Sequence, residues 1–215
     1  SAVYYNDKKT SKDSSGIQSE VKSVLDSYVT AGSISKFGGA VRYSKIVGAI
    51  DGADLSITRN VTNLEMRKNL LARLNSSAAY EICFDNPLKI TSTESVVQST
   101  GFYLRVDGVV SDKLFYFKDD TKGGIYAYYI DATTGNDIIE NDLFGYVDYD
   151  KGEIMLGYIS GQSITFVDTV EPGGIIKIIA IPRDNDIKVA NSVFMDFDVA
   201  DSIIEAIVDK EVAGS

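Results

Sequence analysis

Two acidic runs are the groups most able to do chemistry. Asp148, Asp150 and Gly152 form a D-x-D-x-G run that resembles the start of a calcium loop, and Asp196, Phe197, Asp198 and Asp201 make a second cluster. The first lacks the glutamate that completes the twelve-residue pattern, and turn-forming, outward-facing aspartates explain both more simply than calcium does. Paired carboxylates can also hydrolyse glycosides, but only at a set separation across a cleft, which spacing along the chain does not specify. The chain has no histidine and no tryptophan. Losing histidine removes the commonest general base, the Ser-His-Asp and Cys-His nucleophiles and most transition-metal sites together. The one cysteine, Cys83, lies in YEICF between apolar neighbours and reads as a buried small hydrophobe. The expectation is a protein that is not an enzyme, with no catalytic residue, no cofactor and no bound metal.

The elements that would position such groups differ along the chain. Residues 1–15, with NDKKTSKDSS at their centre, lack periodicity and predict a flexible arm, although Tyr4 and Tyr5 could pack onto a body. Ser15 and Gln18 have capping-box spacing, and Ile17, Val21, Val24, Leu25 and Tyr28 follow as one apolar stripe, so a helix is expected over 17–29. After a short extended run through Val41, the residues Ile46, Val47 and Ile50 make a second helical stripe that Gly52 ends in a left-handed conformation. Leu55 and Ile57, then Leu64 and Met66, read as strand positions with one buried face, and their change of phase places a turn or bulge near Asn60.

From Ala78 onward the texture becomes short Tyr-, Phe-, Ile- and Val-rich runs separated by turn residues: YEICF, GFYLRV, KLFYFKD, GIYAYYID, GYVDYD, EIMLGYI, SITFVD and IIKIIAIP. The segment GYVDYDKGEIMLGYI predicts a tight hairpin. Near the end, VFMDFDV reads as a strand and DSIIEAIVDK as a short helix with Ile203, Ile204 and Ile207 on one side. The fold class is therefore α+β. Residues 16–75 should form a small helix-covered α/β domain, and residues 76–215 a mostly antiparallel β-rich domain, a sandwich or an open barrel.

At 215 residues, 44% hydrophobic and 24% charged, the chain can bury a core in one domain or two. No apolar run is long enough to span a bilayer and no signal-peptide pattern opens the chain, so a soluble protein away from membranes is expected. A formal charge of −10 repels a phosphate backbone and excludes nucleic acid as the expected partner. Among 13 tyrosines, Tyr126 and Tyr128 of GIYAYYID fall on one strand face and Tyr129 on the other. Tyrosine supplies rigid area with a polar tip, so these residues suit an interface; strand tyrosines that merely cover a sheet edge suit the pattern equally.

The helix IQSEVKSVLDSYV, then GAVRYSKIVGAIDGADLSITRNVTNLEMRK, and later GYVDYDKGEIML resemble the C-terminal part of the baseplate J family, as found in wedge proteins of T4-like contractile-tailed phages. The likeness covers about a third of the chain. Such proteins carry a longer N-terminal region, so the chain looks like a C-terminal fragment. The resemblance implies a structural subunit of the virion tail baseplate, assembled in the host cytoplasm. Its implied partners are itself, as a homodimer, and other wedge proteins, joined into a ring around the hub. Arg42, Tyr43 and Arg59 border the resembling unit and, with Tyr126 and Tyr128, are the candidate interface residues. A helix N-terminus and a solvated rim would explain the first three almost as well. The alternative function is a tyrosine-rich β-sandwich that recognises carbohydrate or a receptor at a virion or cell surface.

Overall fold

A computed structural model describes residues 1–157 and 164–211, the side chains at 32 and 33 excepted. The chain opens with β1 (Ala2–Tyr5), α1 (Ser14–Tyr28) continued by a π turn (Val29–Ser33), β2 (Lys36–Phe37), β3 (Ala40–Val41), α2 (Tyr43–Asp51) and β4 (Ile57–Val61). Then come β5 (Met66–Leu71), β6 (Tyr80–Cys83), β7 (Val97–Ser99), β8 (Phe102–Val106), β9 (Val109–Val110), β10 (Phe115–Asp119) and β11 (Gly124–Ile130). They are followed by β12 (Asp137–Asp148), β13 (Glu153–Leu156), β14 (Phe166–Thr169), β15 (Ile175–Ala180), β16 (Ile187–Lys188), β17 (Phe194–Met195) and β18 (Glu205–Val208). Two compact units result: Ser1–Leu64 with Asn185–Ser215, and Glu65–Asp184. The expected division at 15 and 75 is drawn differently here: β1 pairs with β4 and β18, β5 pairs with β15 of the second unit, and the chain from Asn185 returns to the first unit.

In the first unit, β1 is the middle strand of a three-stranded sheet, parallel to β18 and antiparallel to β4. The expected flexible arm is thus the sheet's centre: Val3 and Tyr5 point inward and are buried. The polar run after it is tied down as well, with Asn6 Oδ1 accepting the Lys8 amide at 2.9 Å. DSIIEAIVDK forms β18 instead of a helix. Its β-branched residues satisfy either pattern, and the unpaired edge of β1 selects the extended one.

Helix α1 buries Ile17, Val21 and Leu25, as its stripe requires. Its cap is Asp13 and not Ser15: the Asp13 carboxylate accepts the Gly16 amide at 2.8 Å, so the helix begins earlier than expected. α2 buries Ile46 and Ile50, but Gly52 stays right-handed at φ −83° and donates its amide to Gly48. Leu55 is fully exposed while its neighbour Ser56 is buried, the reverse of the expected phase. The bulge lies at Thr58, between the Tyr4↔Arg59 and Tyr5↔Ile57 pairs, and the second phase belongs to a separate strand, β5.

The stretch after α2 carries one pH-sensitive contact. Asp54 accepts the Ser56 backbone amide and a hydrogen bond from Lys12 Nζ at 2.9 Å, which together hold its carboxyl at about 2, below the ordinary 3.8. A depressed folded pKa gives stability that is present above the ordinary value and lost as pH falls towards the folded one. Asp54→Asn should therefore lower the melting temperature at neutral pH, and the gap from the native chain should close between pH 4 and 2 in thermal scans. An unchanged gap across that window would refute the assignment.

The second unit is an eleven-stranded sheet whose ladders are all antiparallel, in the order β5-β15-β7-β10-β11-β12-β13-β6, with β8, β9 and β14 branching from β10. It curls into a nearly closed barrel-like sheet. Lys68 on β5 reaches across to the Cys83 carbonyl on β6, so the two end strands of the path meet. Five phenylalanines, Phe102, Phe115, Phe117, Phe144 and Phe166, fill the interior without exposure. The hairpin of β12 and β13 is present with Asp148 opposite Glu153; Gly152 turns it at φ +70°, where an added Cβ would lie 2.1 Å from the Asn86 carbonyl. The Tyr158–Ile159 end of EIMLGYI and Ser163 of SITFVD lie outside the described residues.

Candidate functional site

The sequence of β10, FYFKD, alternates inward Phe115, Phe117 and Asp119 with outward Tyr116 and Lys118. β11 does the same, burying Ile125 and Ala127 and turning Tyr126, Tyr128 and Ile130 outward. The register then sets Tyr116 opposite Tyr128 and Lys118 opposite Tyr126, while Ile139 of β12 faces Tyr128 from the other side. Ring centroids are 5.8 Å apart for Tyr116 and Tyr128, and 6.0 Å for Tyr126 and Tyr128. The result is one aromatic face crossing three strands, extended by the exposed Ile130 and Ile139.

Lys118 sits in the middle of that face. Its Nζ is 4.5 Å from the Tyr128 ring centre and 2.6 Å from Asp137 Oδ2. Burial opposes its charge, but the hydrogen bond to Asp137 and the neighbouring phenols hold its pKa above the ordinary value. Burial pushes the Tyr128 phenol up, and Lys118 only partly offsets this. The face therefore carries one paired cation beside a Tyr128 phenol held in its neutral form, a composition that can be desolvated without stranding a charge.

Beside this face lies a polar cleft of about 530 Å³, lined by Tyr126, Tyr128, Lys118, Gln98, Glu94 and Asp120 among others. Its charged groups are already engaged: Glu94 pairs with Lys89 at 3.1 Å, and Asp120 Oδ1 accepts the Lys122 and Gly124 amides.

The three remaining candidate residues belong to the first unit and are held within it. Arg42, at the start of α2, pairs with Asp186 at 2.9 Å, and the same carboxylate accepts the Tyr43 amide. The Tyr43 hydroxyl donates to the Thr62 carbonyl at 2.8 Å. Arg59 on β4 lies over the Tyr4 ring at 3.9 Å and is 3.8 Å from the buried Asp209. Tyr126 and Tyr128 thus meet on one face, whereas Arg42 and Tyr43 brace a helix start and Arg59 braces a sheet. Sequence reading missed Tyr116, Lys118, Ile130 and Ile139. The alternation of KLFYFKD carried Tyr116 and Lys118, but nothing local specified their register against β11.

The acidic runs are occupied by turn chemistry. Asp148 Oδ1 accepts the amides of Asp150 and Lys151, Asp150 pairs with Arg183 at 2.6 Å, and Asp198 accepts the Asp201 amide. Cys83 is half-buried and not enclosed; burial and the Glu81 contact at 3.6 Å raise its thiol pKa, which disfavours the thiolate. No helix among the described residues is long and apolar enough to cross a membrane.

No curated protein matches the chain. Residues 1–69 match the family described as baseplate structural protein gp6, C-terminal domain III, a span running from β1 into β5. That match supports a phage baseplate gp6-like protein with a structural role in the virion tail baseplate.

Proposed function

We propose that the chain is a non-enzymatic subunit of a contractile-tail baseplate wedge, in keeping with the baseplate J resemblance, and that it self-associates and binds other wedge proteins to link wedges around the hub. The match of residues 1–69 to a baseplate domain carries this reading. The tyrosine face of β10, β11 and β12 supplies the surface: rigid aromatic area, a paired cation and two exposed isoleucines are what an interface centre needs. Such a surface can also be remade when a sheath contracts, since its contacts are side-chain contacts on a fixed sheet.

Light scattering at high micromolar concentration should give the mass of a homodimer, and Tyr128→Ala should raise its dissociation constant at least about tenfold, as removal of a central aromatic anchor does. A monomeric mass for the native chain would overturn the self-association. The carbohydrate-binding alternative has one observation in its favour, the polar cleft with its internally paired charges beside Tyr126 and Tyr128. Glycan binding by the native chain, lost in a folded Tyr128→Ala variant, would select that reading.

A further inference from the structure

The loop KDDTKGG after β10 ends in two glycines, yet its first left-handed residue is Thr121, at φ +66°. The other non-glycine residues with positive φ among the described residues are Asn75, Asp85 and Asp107, types that tolerate this region, whereas a β-branched side chain is strained there. The loop is tied down firmly enough to hold it. Asp119 Oδ2 accepts the Thr121 amide at 3.2 Å, and Asp120 Oδ1 accepts the Lys122 amide at 2.7 Å and the Gly124 amide at 2.8 Å. Backbone conformation alone would select glycine or asparagine at this position, so the threonine side chain is the feature to explain.

Thr121 lines the polar cleft of about 530 Å³ beside the tyrosine face. The charged groups of that cleft are bonded inside the protein: Lys118 to Asp137 at 2.6 Å, Glu94 to Lys89 at 3.1 Å, and Asp119 and Asp120 to backbone amides. The lining groups that share no hydrogen bond with another described residue are hydroxyls and one amide: the hydroxyls of Thr121, Ser92, Tyr126 and Tyr128, and the Gln98 side chain. Strand register puts Gln98 there, opposite Lys118 of β10. Hydroxyl and amide groups beside two aromatic rings, with centroids 6.0 Å apart, suit a ligand that offers hydroxyls at its rim and an apolar face to the rings.

We infer that this cleft binds a neutral saccharide, its hydroxyls bonded by Thr121 and Gln98 and its apolar ring face laid against Tyr126 and Tyr128. An anion would have to draw Lys118 from Asp137 and leave that carboxylate unpaired, on a chain of net charge −10. A cation finds Glu94 and Asp120 already satisfied, by Lys89 and by two amides. The inference rests on the carbohydrate reading of the cleft and adds to it the charge class of the sugar and the residue kept strained to hold it. It does not depend on self-association, since Thr121 and Gln98 lie outside the row of Tyr116, Tyr128 and Ile139 that the assembly reading uses.

The test applies the whole chain to a printed array of neutral, uronic-acid and amino-sugar glycans. Neutral glycans should be retained about tenfold or more above the uronic-acid ones, because an anion leaves an unpaired charge in the cleft. Their retention should not change as salt is raised, since no net charge is recognised. Thr121→Gly removes the strain and the hydroxyl together, so it should keep or raise the melting temperature while neutral-glycan binding falls about fivefold, the scale of one lost hydrogen bond. Gln98→Ala should weaken binding similarly without moving the melting temperature, because its side chain is exposed. Native-strength binding by both folded variants would overturn the inference and leave the carbohydrate reading to its Tyr128→Ala test. Retention of charged glycans alone would overturn the neutral class, and retention of none would overturn the inference and the carbohydrate reading together.

Discussion

Phe102→Ala should cost about 3–5 kcal/mol, the range for truncating a buried phenylalanine that leaves a cavity. Phe102 is unexposed on β8 and touches rings from three other strands: Phe144 stacked at 5.8 Å, Phe166 edge-on at 5.1 Å and Phe117 at 6.1 Å. Alanine leaves those three rings facing a void that their hydrogen-bonded strands cannot close. Because a domain holds only about 5–15 kcal/mol in total, the variant should lose a large share of the second unit's stability. Urea unfolding followed by tyrosine fluorescence measures it, and Phe102→Leu, which retains most of the volume, should lose markedly less. A cost below about 1 kcal/mol for alanine would show that the cluster is not the unit's core.

Asp119→Ala should be nearly as damaging, for a polar reason. This carboxylate is buried at 1% exposure at the end of β10. Its Oδ1 accepts the amides of Val96 at 2.7 Å and Val97 at 2.8 Å, and its Oδ2 accepts the Tyr149 hydroxyl at 2.7 Å and the Thr121 amide at 3.2 Å. Alanine strands the two buried amides at the entry to β7, at roughly 1–3 kcal/mol for each unpaired group, so a total of about 3–5 kcal/mol is expected. Tyr149→Phe removes only one arm and should cost about 1 kcal/mol. Burial, then the Asp119 carboxylate, push the Tyr149 phenol far above its ordinary value of 10.0. A raised folded pKa means this contribution is present below pH 10 and lost as the pH climbs beyond it, so the difference between Tyr149→Phe and the native chain should narrow in strongly alkaline melts. Equal stability of Asp119→Ala and the native chain would remove the network from the account.

Some of the molecule is legible in residues close together in the chain. The stripe Ile17, Val21 and Leu25 becomes the buried face of α1, because helical periodicity is a local property. The β12–β13 hairpin follows from a glycine able to take positive φ between alternating strands. The lack of histidine restricts chemistry whatever the fold. Ends of elements are less legible. Asp13, not Ser15, caps α1, since both offer an acceptor at a usable spacing and only the path of the chain selects one.

What the tertiary structure alone decided is pairing between distant segments. Ser1–Ser15 reads as an arm until β18, some two hundred positions later, supplies the partner that makes β1 a central strand. Asp119 looks like any outward turn aspartate until the chain brings Val96, Val97 and Tyr149 around it. The tyrosine face depends on Tyr116 lying opposite Tyr128, and one residue of slip would send half of it into the core. Periodicity fixes which side of its own strand a residue occupies. Its neighbours across the sheet are chosen by burial and hydrogen bonding summed over the whole unit, and no short stretch of sequence contains that sum.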